Sequence, residues 1–489
     1  MKINVFNQKL SLTFALFFVV LSLFAQDVKE QRKSYTGDKA KYVFLFIGDG
    51  MGVAQIAATE AYMAAIGSHD AIKPLNFSEF PAQGLMTTYA KDRFITGSAA
   101  SGTALATGHK TSINTISMNA DRSVKYKTIA EKAKSNKMKV GIITSVSIDH
   151  ATPATFYAHE PLRHNYYSIG KQLTESNFDY FAGGGFKLSK GRSGDKPDLI
   201  EMAKSNGFEY VDSKKSFRKL DKNSGRVMAV SPRLDDGAMP YALDMNRNDL
   251  SLADFTEKGI ELLDNEDGFF MMVEGGKIDW SAHGNDATGI IHGVMAFADA
   301  VEQAIEFYEE HPSETLIIVT SDHETGGMAV GAKETKYSSY YERMKQQRVS
   351  LDVFGDKLDE LVKYNEEEEV TFDRVMQITK KYIGLGKERH GLGLNKHDMR
   401  LLKHAYEIQF RDKENPEEMD EMALAYIGEQ SFAQTAIEIL TKKAGLSFTS
   451  NSHTGIPVPV SAIGPGAELF DGRIDNTDIP KNIEVLFKQ

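Results

Sequence analysis

The chain has 489 residues, of which 41% are hydrophobic and 26% charged, the balance of a soluble globular protein with room for one large core or several domains. Its formal net charge of −11 repels a polyanion overall, which excludes a nucleic-acid scaffold and leaves no nucleic acid as a specific partner. There is no cysteine, so disulfides and thiolate metal sites are excluded, and any metal must be held by His, Asp, Glu or hydroxyl groups.

The first residues read as an address. Lys2 and Lys9 precede an apolar run over residues 10–24, and Ala25 offers a small residue for cleavage. At about fifteen residues the run is short of the roughly twenty that a membrane span needs. We therefore expect a signal peptide over residues 1–25, no span in the mature chain, and an exported protein, periplasmic or extracellular. An uncleaved anchor is the alternative, and Leu23 fits a small-x-small cleavage rule poorly.

Short apolar runs then recur, each ending in polar residues or glycine. Residues 42–47 lead into Gly48-Asp49-Gly50, and residues 140–143 into Thr144-Ser145. Residues 178–181 lead into Gly183 to Gly185, residues 269–273 into Glu274-Gly275-Gly276, and residues 316–320 into Ser321-Asp322-His323. Continuous apolar runs of this length predict strands buried on both faces, as in parallel sheets. Helical patterns lie between them, for example over residues 294–307. The expectation is an α/β fold: a doubly wound, mostly parallel central sheet with helices on both faces. Ligands then gather at the carboxyl ends of the strands.

The stretch 333–450 differs. It is rich in Lys, Glu, Met and Leu at helical spacing and carries an acidic run at 366–369, which reads as a solvated face. It predicts a helical insertion into one α/β domain spanning residues 26–489. Residues 456–463 return to strand character, and Pro457 and Pro459 place that strand at an edge or a bulge. No solenoid repeat is present.

Asp279 and His283 are four positions apart, so both lie on one face of a helix and can reach one metal. The spacing alone is common on helix surfaces. Its context is not: Glu274, Asp49 and Asp322-His323 stand at strand ends, and His453 precedes a further strand. Carboxylates and imidazoles gathered in one crevice are costly unless cations are present. The run from Gly48 to Gly52 lacks the G-x-G-x-x-G spacing of a dinucleotide loop, and a carboxylate there would repel pyrophosphate. Asp49 reads better as a metal ligand. Small residues from Ser98 to Gly108 predict a short helix beginning near Ser98. Ser98 can be an N-cap, or a hydroxyl facing a phosphate site at the helix N-terminus. The G-x-S-x-G elbow is absent, since Thr96 and Ala100 occupy its glycine positions.

Six segments in this order resemble the alkaline phosphatase family: "FLFIGDGMG", "TGSAASGTALATGHKT", "HATPATFYAHEPLR", "VEGGKIDWSAH", "VTSDHETGG" and "NSHTG". The resemblance covers residues 42–330 and resumes at 451; the helical stretch lies outside it. It implies an exported alkaline phosphatase that hydrolyses small phosphomonoesters to an alcohol and inorganic phosphate through a phosphoserine intermediate. Ser98 would be the nucleophile and Arg163 the grip on the phosphate oxygens. Two Zn2+ are implied, one held by Asp279, His283 and His453, the other by Asp49, Asp322 and His323. Asp49, Thr152 and Glu274 would hold a third ion, Mg2+. Two such metals can stabilise the attacking and leaving oxygens of an in-line displacement. Family members are commonly homodimers.

Three positions depart from the pattern. Gly97 stands where the family commonly has Asp, which implies a freer Arg163 and a more open pocket. His150 and Trp280, beside the metal positions, replace the Asp and Lys of some bacterial members, and His150 makes zinc an alternative to magnesium at the third site. His311, His390, His397 and His404 have no convergent pattern; His159 and His164 lie near Arg163. Two rival readings exist. Within the same superfamily, a sulfatase fits the neighbours of Ser98 less well and a phosphoglycerate mutase fits the export signal less well; phosphodiester activity stays open as a side reaction, separated by comparing rates on a monoester and its diester analogue. A non-catalytic zinc-binding protein would need neither Ser98 nor Arg163.

Overall fold

The computed structural model describes residues 35, 37–67, 72–363, 370–411 and 430–487. The segment 1–25 and the acidic run 366–369 lie outside the described residues.

Twelve strands are present among these residues: β1 (Tyr42–Ile47), β2 (Ala82–Thr87), β3 (Lys139–Thr144), β4 (Tyr180–Gly183), β5 (Phe208–Val211), β6 (Arg226–Val230), β7 (Phe269–Glu274), β8 (Thr315–Thr320), β9 (Glu324–Thr325), β10 (His453–Thr454), β11 (Val458–Ile463) and β12 (Gly472–Asp475). Ten form one sheet in the order β12-β2-β11-β8-β1-β7-β3-β4-β6-β5, and β9 and β10 make a small antiparallel pair. Only β11 runs antiparallel to its neighbours in the large sheet. This is the mostly parallel α/β fold that the apolar runs predict.

The central strand explains why those runs are unbroken. All six residues of β1 are buried. Val43, Leu45 and Ile47 join one apolar cluster with the helices Ser98–Thr107, Ile129–Ser135 and Asp478–Leu486. Tyr42, Phe44 and Phe46 join the other, with the helices Val53–Ile66, Leu252–Leu263 and Ala287–Glu310. Side chains alternate across a strand, so helices on both faces make both sets apolar.

Register then sets the site. Ile47 pairs with Glu274 of β7 and with Thr320 of β8, and Glu274 pairs with Thr144 of β3. Four strand ends therefore stand level, and the polar residues after them face one crevice. The expectation of an edge or bulge for β11 is not met: it lies between β2 and β8. Pairing with β8 begins at Val460, opposite Thr320 at the end of that strand. Pro459, which has no N–H, thus sits just beyond the β8 ladder, and its carbonyl oxygen accepts from Thr320 Oγ1 at 2.9 Å.

The helices Leu351–Lys363, Phe372–Tyr382, Lys396–Arg411 and Phe432–Ala444 pack round a third apolar cluster that includes Phe354, Leu358, Leu402, Phe432 and Ile437. Its root is tied to the sheet domain by buried Asp286 and partly buried Asp244. Asp286 accepts from Gln347 Nε2 at 2.8 Å and from Leu351 N at 2.9 Å, and Asp244 accepts from Ser350 N at 2.9 Å.

Candidate active site

The turn after β1 brings Asp49 into the crevice, and it needs glycine next to it. Gly50 has φ +74°, and a Cβ there would lie 2.9 Å from Asp279 Cα. The helix Ser98–Thr107 carries small side chains at every position but Leu105, and all ten of its residues are buried. At Gly102 a Cβ would come within 2.9 Å of Thr155 Oγ1, so this helix and the turn Ala151–Ala154 approach closely. The N-cap of the helix is Gly97, not Ser98. Ser98 is therefore released from the capping role, and its Oγ lies 3.4 Å from His323 Nε2, with only 2% of the residue exposed.

Three groups of ligand-type atoms occur here, the second of which contains His323: Asp279, His283 and His453; Asp49, Asp322 and His323; and Asp49, His150 and Glu274. In the first, Asp279 and His283 share the face of the helix Lys277–His283, with His283 Nε2 3.4 Å from Asp279 Oδ2. His453 comes in on β10, its Nε2 3.6 Å from Asp279 Oδ1. In the second, His323 Nε2 lies 3.4 Å from Asp49 Oδ1 and 3.2 Å from Asp322 Oδ2. The rings of His323 and His453 stack at 3.6 Å, so the first two groups adjoin. Thr152 Oγ1 reaches Asp49 Oδ2 at 3.4 Å on the side of Glu274.

Arg163, half-buried, has Nη2 2.8 Å from His150 Nε2. The guanidinium is thus held by an imidazole, a difference from the free arginine expected from Gly97. Trp280 sets its indole edge-on to His150 at 6.0 Å. His159 lies outside the cluster, bonded to Ser117 O at 3.0 Å and Glu131 Oε1 at 3.1 Å. His311 packs against Tyr42 and Phe307, His404 is buried, and His164, His390 and His397 are exposed.

Residues that the motifs did not single out orient these side chains. Thr325 Oγ1 lies 2.6 Å from Asp279 Oδ1 and 3.2 Å from His323 Nδ1. The carbonyl oxygens of Thr96 and Asn451 meet His453 Nδ1 at 2.9 Å and His283 Nδ1 at 2.7 Å. Ser101 Oγ donates to the Asp322 carbonyl at 2.5 Å. Buried Glu324 accepts from Gln55 Nε2, Gly327 N, Met328 N and Thr454 Oγ1, which ties β9 to β10. In sequence, the closeness of Glu324 and Thr325 to the ligand pair Asp322-His323 is the signal for such a role.

The electrostatics are those of crowded buried acids. Burial, then the charges of Asp322, Asp279 and Glu274, hold the Asp49 carboxyl well above the usual range. Burial pushes Glu274 up to about 8 despite a hydrogen bond from Thr144, and pushes Asp322 up to about 7, with the charge of Asp279 adding to the rise. Burial alone would raise Asp279 too, but its bond to His283 and the imidazole charges bring it far down. That bond lifts His283 to about 9. Burial keeps His150 and His323 neutral, with Arg163 adding to the effect on His150 and His453 on His323. Asp49 Oδ1, Glu274 Oε1 and Asp322 Oδ2 are buried without a hydrogen-bond partner. Orphaned buried carboxylate oxygens facing imidazole nitrogens are the donor set that a divalent cation satisfies.

Fold and crevice together define an α/β hydrolytic enzyme that gathers carboxylates and imidazoles at level strand ends. The family profile described as "Alkaline phosphatase" matches residues 40–488. Alkaline phosphatase 3 of Bacillus subtilis is 33% identical, covering 93% of this chain and 90% of its own. The alkaline phosphatase of Escherichia coli is 30% identical over 62% of this chain and 74% of its own. Among solved structures, the cold-active alkaline phosphatase of Shewanella sp. is 26% identical, with a TM-score of 0.74 over 92% of this chain and all of that one. A mutant of the enzyme from the Antarctic bacterium TAB5, with a histidine replaced by aspartate, is 27% identical, with a TM-score of 0.63 over 93% of this chain and all of that one; it is described with Mg bound in its M3 site. The chain belongs to the alkaline phosphatase family and is a phosphoric monoester hydrolase.

Proposed function

We propose that this protein is an exported phosphomonoesterase working by double displacement at Ser98, with a phosphoserine intermediate. The observation that carries the reading is the placement of the Ser98 hydroxyl beside His323, in the group that holds the orphaned oxygens of Asp49 and Asp322. Ser98 Oγ forms a bond to phosphorus while the ester P–O bond breaks, and the alcohol departs. Water then attacks the phosphoserine from the opposite side, releasing inorganic phosphate and restoring Ser98, so two inversions retain configuration. The N–H groups and positive dipole end of the serine's helix face the phosphoryl oxygens. Arg163 supplies a further pair of donors, oriented by His150.

Asp279, His283 and His453 would hold one zinc and Asp49, Asp322 and His323 the other, and bound zinc supplies Lewis acidity that activates the serine and water oxygens and stabilises the leaving oxygen. For a third ion, Asp49, Thr152 and Glu274 offer oxygens. While His150 Nε2 accepts from Arg163, its proton sits on Nδ1, which cannot then ligate; this favours magnesium over zinc there. Export rests on the pattern of residues 1–25, and no described helix is long and apolar enough to cross a membrane. The separate apolar cluster of the four helices supports a helical insertion at about 333–450 within one domain spanning 26–489.

The test is phosphate release from a simple aryl monoester at alkaline pH. Turnover should vanish with chelator, return with zinc, and fall by several orders of magnitude in Ser98→Ala while zinc stays bound. Near-normal turnover in that variant would remove Ser98 as nucleophile. No turnover in zinc-loaded protein would favour the non-catalytic reading.

A further inference from the structure

The loop that delivers Ser98 carries apolar side chains that the chemistry above does not use. Phe94 is 90% exposed and Ile95 47% exposed, immediately before Thr96, whose carbonyl oxygen meets His453. Across from them stands Ile456, 57% exposed and three residues beyond His453. The two segments touch: a methyl group built on Gly455 would lie 3.7 Å from the Phe94 carbonyl oxygen and 3.8 Å from Ile95 Cγ1. Ile113 extends the lining inward. A methyl group on Gly97 would lie 3.8 Å from Ile113 Cδ1 and 4.0 Å from His453 Cε1. The nearby charges are matched, since Arg93 pairs with Asp92, which also accepts from Ile113 N at 3.2 Å.

Single exposed apolar side chains are ordinary, but several gathered at the mouth of a buried catalytic crevice mark a binding surface. Their location gives the ligand. They flank His453, in the group with Asp279 and His283, whereas the nucleophile Ser98 lies against His323 of the adjoining group. In an in-line displacement the departing oxygen leaves opposite the attacking one, and therefore towards His453. The organic part of the ester then projects between Ile95 and Ile456. Gly97 contributes no side chain to that passage.

We propose that Phe94, Ile95, Ile113 and Ile456 form a subsite for the alcohol portion of the substrate, and that the preferred esters are monophosphates of apolar aryl or alkyl alcohols. This rests on the phosphomonoesterase reading of the same site.

The experiment compares ethyl and hexyl phosphate, whose alcohols are nearly equal in basicity, by kcat/KM with metal-loaded protein. In parallel, ethyl- and hexylphosphonate binding is measured by calorimetry. Partial burial of four further methylenes predicts about a tenfold preference for the hexyl member in both measurements. Phe94→Ser combined with Ile456→Ser should bring both ratios to within about twofold. Equal specificity in the parent, or a preference that survives the double substitution, overturns the subsite while leaving the phosphomonoesterase reading intact. A fall in solution mass in the double variant, with the preference retained, assigns the rim to contact with a second copy and also overturns it. No turnover of either ester removes both readings.

Discussion

Stripping divalent ions from this protein should make its stability fall with rising pH above neutrality, an effect that zinc and magnesium should cancel. Glu274 has an ordinary value of 4.5 and is pushed up to about 8 in the fold, with Asp49 and Asp322 raised alongside it. An acid whose folded value is raised stays protonated in the native state after it has ionised in the unfolded chain. Each such group removes about 1.4 kcal/mol of stability per pH unit until its folded value is passed. Between pH 6.5 and about 8, Glu274 alone removes about 2 kcal/mol, and Asp49 acts in the same direction. His283, raised from 6.5 to about 9, also loses its stabilising contribution over this range. The buried histidines His150, His323 and His453 act oppositely, but only at lower pH, where the unfolded chain takes up their protons; the window therefore opens at 6.5. An unfolding entropy of about 1 kcal/mol per kelvin for a chain of this size converts 2–4 kcal/mol into a fall in Tm of about 2–4 °C. Differential scanning calorimetry of chelated and metal-loaded protein at pH 6.5, 7.25 and 8 measures it. A Tm of the chelated protein that is flat or rises, or a parallel fall in the metal-loaded protein, would refute the account of the crevice as carboxylates awaiting cations.

Other consequences are more local. Arg163→Ala should lower kcat/KM for an aryl monoester by roughly a hundredfold, the usual loss for one preorganised donor of developing charge, read by steady-state kinetics. Thr325→Val keeps the shape but removes the hydroxyl between Asp279 and His323; zinc affinity in competition with a chelator should weaken by about ten- to a hundredfold. Asp286→Ala leaves the N–H groups of Gly289 and Leu351 and the Gln347 amide without their acceptor, a loss of about 3 kcal/mol that calorimetry reads as a lower Tm. Faster proteolytic nicking near residues 347–351 should accompany it.

Much of this molecule is legible in its sequence because the sheet is covered on both faces. That cover forces unbroken apolar strands, and the first acidic residue at the carboxyl end of each strand marks a point on one row: Asp49, Glu274 and Asp322 are legible on that ground. Asp279 and His283 were legible for a different reason, the helical spacing that sets them on one face. What stayed hidden depends on contacts between distant segments. Nothing local in "HETGG" shows that Glu324 is saturated by Gln55 and by Thr454, 130 residues away. The expectation of an edge or bulge at Pro459 fails for the same reason. A missing N–H argues for an edge only if a neighbour waits to accept it, and whether one does depends on where β8 stops. Arg163 shows the converse. Loss of a carboxylate at Gly97 frees an arginine only if no other group takes it up, and His150, thirteen residues earlier, does so across the crevice. Strand ends and helix faces can be read from one segment at a time. The partner that fixes each ligand's orientation is a property of two segments, and only the folded chain brings them together.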